Sequence, residues 1–177
     1  MLAANFTKSL DSVWSQLDPI RVGRVPVTLG TPDRFVRVEE DGEPVLRIDV
    51  YAYRPDCFAF EEVLIWRDMV VIGFGSHVHA VSIADRSAVT IDLGSYFGHF
   101  YPTTDYLLAA SGERFFRFEP DRSIMWKSGD LAIDGVVVHD SGPTVIRGEG
   151  EWDPPGGWKP FAISVDDGSL LRQPIHS

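Results

Sequence analysis

The sequence is poor in lysine and cysteine, and it has no long apolar run. Lys8, Lys127 and Lys159 are the only lysines, and Lys plus Arg total 16 against 26 Asp plus Glu. No window gathers a basic run, which speaks against a protein that neutralises nucleic-acid phosphates or docks on an anionic membrane surface. No stretch approaches the ~18 apolar residues of a membrane span. The single cysteine, Cys57, cannot close an internal disulfide, and the opening MLAANFTKSL lacks the apolar core of a secretory leader. Both features give the expectation of a cytoplasmic protein. The GxGxxG, P-loop, GxSxG and HExxH patterns are missing too, so no cofactor and no catalytic residue is expected.

What is present is ordinary globular composition: 177 residues, 44% hydrophobic and 24% charged, with a formal net charge of −10. Length and the lack of a Pro- or Ser-rich linker predict a single domain over 1–177. Phe6, Leu10, Val13, Trp14 and Leu17 recur at helical spacing, which predicts one short N-terminal helix over 5–17, stopped before Pro19. From Val25 the texture changes to short runs rich in Val, Ile, Phe and Tyr between turn signals. In this hairpin region, 25–66, Arg34–Glu39 and Val45–Tyr53 flank the turn Glu40-Asp41-Gly42-Glu43. A second tight hairpin joins Phe58–Trp66 to Met69–Phe74 through Arg67-Asp68.

An internal repeat fills 67–172. Val70-Val71-Ile72-Gly73-Phe74-Gly75-Ser76 aligns with Tyr106-Leu107-Leu108-Ala109-Ala110-Ser111-Gly112, and at the same offset Asp85-Arg86-Ser87 falls on Asp121-Arg122-Ser123. Each unit reads strand, glycine turn, strand, Asp-Arg-Ser turn, strand. A looser third unit starts at Gly135-Val136-Val137-Val138 and ends in Phe161–Val165, the turn Asp166-Asp167-Gly168-Ser169, and Leu170-Leu171. Alternation places Val71, Val81, Ile91, Leu107, Phe116, Phe118, Val137 and Ile163 in the core.

These repeats, over about 66–172, resemble blades of the quinoprotein-like and WD-type β-propeller families. In such blades an apolar strand ends at Gly, a second leads to an Asp/Gly turn, and a Trp often sits on the next strand, where this chain has Trp126. The resemblance implies an all-β fold, an antiparallel meander of propeller-like three- to four-stranded units. Propellers typically have ~4–8 blades, and two clear units with one irregular one leave open an incomplete propeller, a curved meander or an open sandwich. An open sheet edge would be covered somewhere, and a homodimer is one way to do so.

Four groups of residues are candidates for function. His77 and His79, two apart on a strand, share a face and could share a metal ion. They lack the flanking Gly and Glu of the cupin HxH pattern, so the alternative is a hydrogen-bonded structural pair. Arg147, Glu149, Glu151 and Asp153 would line one strand face, read as an acidic contact surface. The string Trp152-Asp153-Pro154-Pro155-Gly156-Gly157-Trp158 places two tryptophans about a stiff loop, either as a partner-docking element or as a lid on the core. Finally, Gly94–Pro102 is aromatic for a linker, and Tyr96, Phe97 and Tyr101 with Trp158 could line a small-ligand pocket if they are not tucked inside. Cys57 reads as a small buried hydrophobe.

These groups support three functions: a non-catalytic module that presents an acidic, Trp-bracketed surface to a protein partner of basic character, with an inhibitor or immunity-type role as one form; a metal-dependent enzyme built on His77 and His79; and a small-ligand binder.

Overall fold

The computed structural model describes residues 1–53 and 60–171. Cys57, the start of the strand expected from Phe58, and the chain beyond Leu171 lie outside the described residues. The chain divides into two compact units, Met1–Asp92 and Leu93–Ser177.

The first unit holds two four-stranded sheets. Strands β1 (Leu2–Thr7), β2 (Ile20–Gly23), β3 (Arg34–Glu40) and β4 (Glu43–Tyr51) form a sheet in the order β1-β3-β4-β2. The β3–β4 hairpin turns at Asp41-Gly42, both at positive φ (53° and 88°), in agreement with the turn expected there. Strand β2 runs parallel to β4, so this sheet is not a plain meander. The expected helix 5–17 is mostly replaced. Leu2–Thr7 pairs antiparallel with β3, and only Ser12–Ser15 (α1) is helical, capped by the Asp11 carboxylate. Leu2, Ala4 and Phe6 also alternate, and pairing with β3 overrides the helical spacing that Phe6 shares with Leu10. Trp14 is buried from α1, with the Arg37 guanidinium 5.6 Å from its ring.

The second sheet is a four-stranded meander: β5 (Glu61–Trp66), β6 (Met69–Phe74), β7 (His77–Ser82) and β8 (Ala88–Asp92). Val36, Val38, Ile48 and Val50 of the first sheet share one core cluster with Val70, Ile72, Phe74 and Val81 of the second.

The second unit repeats the meander with β9 (Phe97–Pro102), β10 (Leu107–Ser111), β11 (Phe115–Phe118) and β12 (Ile124–Lys127), then adds a three-stranded sheet of β13 (Val136–Ser141), β14 (Val145–Glu151) and β15 (Trp158–Ser164). Most of the expected aromatic linker 94–102 is therefore strand β9, antiparallel to β10. The core here joins Leu108, Ala110 and Phe115 to Ile146, Phe161 and Ile163.

The repeat has a structural cause. Asp85 Oδ1 accepts from the backbone N (2.9 Å) and hydroxyl (2.6 Å) of Ser87, and Asp121 does the same for Ser123 at the same distances. Asp167 repeats the bond pair with Ser169, at 3.0 and 2.7 Å. The middle residue of each turn, Arg86, Arg122 or Gly168, is left-handed. Each turn comes directly after the third strand of its sheet, which is β7, β11 or β15. Beyond the last turn, Leu170 bridges to Ile163. Trp126 is buried, and its indole N–H donates to the Val165 carbonyl at 2.8 Å. The forecast core residues are buried except Ile91 and Val137, which are half-buried; Val136 takes the inward place expected of Val137.

Candidate functional site

Strand β14 alternates strictly. Ile146, Gly148 and Gly150 face inward, while Arg147, Glu149 and Glu151 face out. The inward glycines are a steric requirement: a Cβ at Gly148 would lie 2.0 Å from the Val137 carbonyl oxygen, and one at Gly150 lies 1.9 Å from that of Leu131. The outward carboxylates are only partly neutralised. Glu149 Oε2 is 3.1 Å from His139 Nε2, and Arg147 donates to Asp140 at 3.2 Å rather than to a neighbour on its own strand. Glu151 Oε1 accepts the Gly156 N–H at 2.5 Å and so ties down the Pro-Gly loop. Trp152 N donates to Gly157 O, and Gly157 N to Asp153 O, both at 3.0 Å. The Pro154–Pro155 bond within this loop is cis.

Both tryptophans of the loop stay in solvent, Trp158 at 41% and Trp152 at 37% of full exposure. Neither is a lid on the core. Trp158 opens β15 directly across from Glu151, on the same outward face. Trp152 is covered differently, with Lys159 Nζ 5.9 Å from its ring centre. Asp153 is exposed beside it.

Tyr96, far away in sequence, joins this place. Its hydroxyl donates to Asp134 Oδ1 at 2.8 Å. Its pKa is raised, first by burial, then by that hydrogen bond and by the negative charges of Asp134 and Glu151. Phe97 and Tyr101 do not join it. Phe97 is fully enclosed, 4.6 Å from the Phe100 ring centre. Tyr101 packs edge-on against Phe115, and its hydroxyl accepts from Val138 N at 3.3 Å. The aromatic pocket expected from these three residues and Trp158 is thus not assembled. A groove of about 380 Å³ lies instead at Trp152, Lys159, Pro160, Phe161, Leu131 and Leu170. Of its lining only Trp152 is singled out in the sequence; Leu131 and Leu170, distant in the chain, are brought beside it by the fold.

In the first unit, His77 and His79 do share a face, with ring centres 6.3 Å apart and nearly parallel. Tyr53 stacks on His77 at 3.9 Å. His77 Nδ1 contacts the Ser76 hydroxyl at 3.0 Å and His79 Nδ1 the Thr90 hydroxyl at 2.9 Å. Burial, with the neighbouring His77 charge second, pushes the His79 pKa down to about 3. Among the described residues no third His, Cys, Asp or Glu completes a metal-holding group with them.

Repeated four-stranded antiparallel meanders, each with an Asp-turn between its third and fourth strands, place the chain in the class of β-propeller-like folds. Among solved structures it is similar to KlHsv2 with loop 6CD replaced by a Gly-Ser linker, at 11% identity and a TM-score of 0.52, over 78% of this chain and 45% of that one. It is also similar to the Pan2 WD40 domain of Neurospora crassa, at 11% identity and a TM-score of 0.48, over 81% of this chain and 47% of that one. The chain spans about half the length of these structures. No family model and no curated protein matches the sequence. At this identity the likeness concerns the fold alone.

Proposed function

We propose that this chain is a non-catalytic protein-interaction module whose contact surface is the outward face of the β13-β14-β15 sheet with the loop 151–158. The observation that carries this reading is Trp158, 41% exposed at the end of a strand whose loop is fixed by cross-loop hydrogen bonds. A large ring held rigid in solvent loses little entropy on docking and is the side chain most often found at interface hot spots. Glu149, Glu151 and Asp153 surround it with negative charge, so the partner is basic. An inhibitor or immunity-type role is one form such binding takes. The metal-enzyme reading is not favoured, since both imidazoles of the His pair are buried and, among the described residues, no third His, Cys, Asp or Glu joins them.

The test is a selection of binders from a displayed random-peptide library, with titration of the selected peptides against Trp158→Ala. Selected peptides are expected to be basic and to lose about 2 kcal/mol, roughly 30-fold, on the variant while its melting temperature stays near that of the parent. Peptides that bind both proteins equally would place the contact surface elsewhere.

A further inference from the structure

We propose that the patch formed by Trp158, Tyr96, Asp134 and Glu151 is a seat for a single arginine side chain of the partner, its guanidinium lying on the Trp158 ring and forking toward the two carboxylates. This deepens the docking reading above and rests on it.

Four elements of the second unit converge here. Gly135, just before β13, is the pivot. A Cβ built on it would lie 3.3 Å from Trp158 Cη2 and 3.9 Å from the Tyr96 hydroxyl, so the ring and the phenol flank one bare backbone position. Its φ of +123° is a conformation side-chain-bearing residues avoid. Glu151 N donates to Gly135 O, and Asp134 N to Glu151 O, which draws the two acidic residues to the same spot. Glu151 stands across from Trp158 in the β14–β15 register.

Charge decides what fits. Among the described residues, neither Asp134 nor Glu151 has a Lys, Arg or His ion-pair partner. Asp134 is held by a neutral phenol, and Glu151 by a backbone N–H. Their combined field opposes ionisation of Tyr96. The other loop tryptophan already carries its cation, Lys159, whereas Trp158 has none among the described residues. Two carboxylates with spare lone pairs beside an exposed indole face form a surface complementary to a flat cation. Guanidinium suits it better than ammonium, because it stacks on the ring while its N–H groups stay free in the plane. A net charge of −10 draws such a group in.

The probe is N-acetylarginine amide, titrated into the whole protein while the Trp158 indole N–H resonance is followed by NMR, with assignment by Trp158→Phe. N-acetylcitrulline amide, equal in shape and uncharged, is the comparison. The expected result is a saturable shift with the arginine compound and a response at least ~5-fold weaker with citrulline, in keeping with a cation on an aromatic face. Asp134→Asn with Glu151→Gln keeps both hydrogen-bond acceptors and should weaken arginine binding by a similar factor, while Asp140→Asn leaves it unchanged. Equal responses to the two compounds, or an arginine response that Asp134→Asn with Glu151→Gln leaves intact, overturn the seat. If the double variant does not fold, the arginine–citrulline comparison on the unaltered protein decides alone. Loss of the peptide-docking result with a positive arginine titration would sink the docking reading and leave the seat standing; the reverse outcome would do the opposite.

Discussion

His79 is 1% exposed, and burial pushes its pKa far below the usual imidazole range. Its imidazole sits on the middle of β7 with Thr90 as hydroxyl partner and the His77 ring beside it. Burial stabilises the neutral ring, so the folded chain takes up this proton only near pH 3, whereas the unfolded chain does so near 6.5. Between those values the unfolded state binds more protons, and stability therefore falls as pH drops from 6.5 toward 3. Carboxylates titrate over part of the same range, so the readout is a difference. The urea midpoint of His79→Gln should depend less on pH between 6.5 and 4 than that of the parent chain. Parallel pH profiles would mean that His79 contributes no linkage. At this same scale the candidate site was half legible. Glu149 and Glu151 could be read because strand alternation fixes which side chains share a face, and Trp158 because it closes a Pro-Gly string. Tyr96 could be read beside Trp158 but as part of a ligand pocket, and Asp134 could not be read at all, because only the fold brings residues 96 and 134 beside residue 151; Phe97 shows that one neighbour in an aromatic string can be core while the next is not.

At the scale of elements, the Asp-x-Ser turns are the recurring device, and the third shows what its middle position tolerates. Arg86 and Arg122 hold φ of 60° and 71° with full side chains, so these turns accept some strain. Gly168 has φ of 70°, and a Cβ there would lie 2.5 Å from Trp126 Cε3, against a ring fixed by its bond to Val165 O. Gly168→Ala should thus combine a left-handed penalty with overpacking and cost about 2–4 kcal/mol. Arg122→Gly relieves the left-handed strain and should change stability by less than about 1 kcal/mol, in the stabilising direction. Urea denaturation of the two variants checks both; a harmless Gly168→Ala would show that Trp126 yields freely. The turns were visible in sequence as Asp-Arg-Ser at a constant offset, because the bond pair needs Asp and Ser two apart. The strands before each repeat were harder. Phe97–Pro102 looked like linker since its inward and outward residues are both aromatic, and Asn5–Thr7, the second half of β1, looked helical since its pairing partner, β3, lies some thirty residues on.

At the scale of the whole molecule, the formal charge of −10 acts on any partner before contact, while Trp158 acts only after it. These two contributions separate kinetically. Long-range attraction sets the encounter rate and is screened over ~10 Å at 0.1 M salt, whereas desolvated ring contact sets the lifetime of the complex. Glu149 and Asp153 are the suitable residues to reverse. Glu149 contacts His139, and Asp153 holds the loop through its backbone carbonyl rather than its carboxylate. Changing both to lysine therefore keeps the hydrogen bonds that shape the Trp152–Trp158 loop. With a basic peptide from the selection, Glu149→Lys with Asp153→Lys should lower the association rate several-fold and barely alter dissociation, in line with the usual effect of rim charges. Raising salt on the parent protein should reproduce that slowing, and should do little further to the variant. Trp158→Ala should show the complementary pattern, fast association and a shortened lifetime. Stopped-flow traces of the three proteins at low and high salt distinguish the cases. A charge reversal that acts wholly on dissociation would mean that the carboxylates lie inside the contact instead of around it, and the docking face would have to be redrawn with Trp158 at its rim.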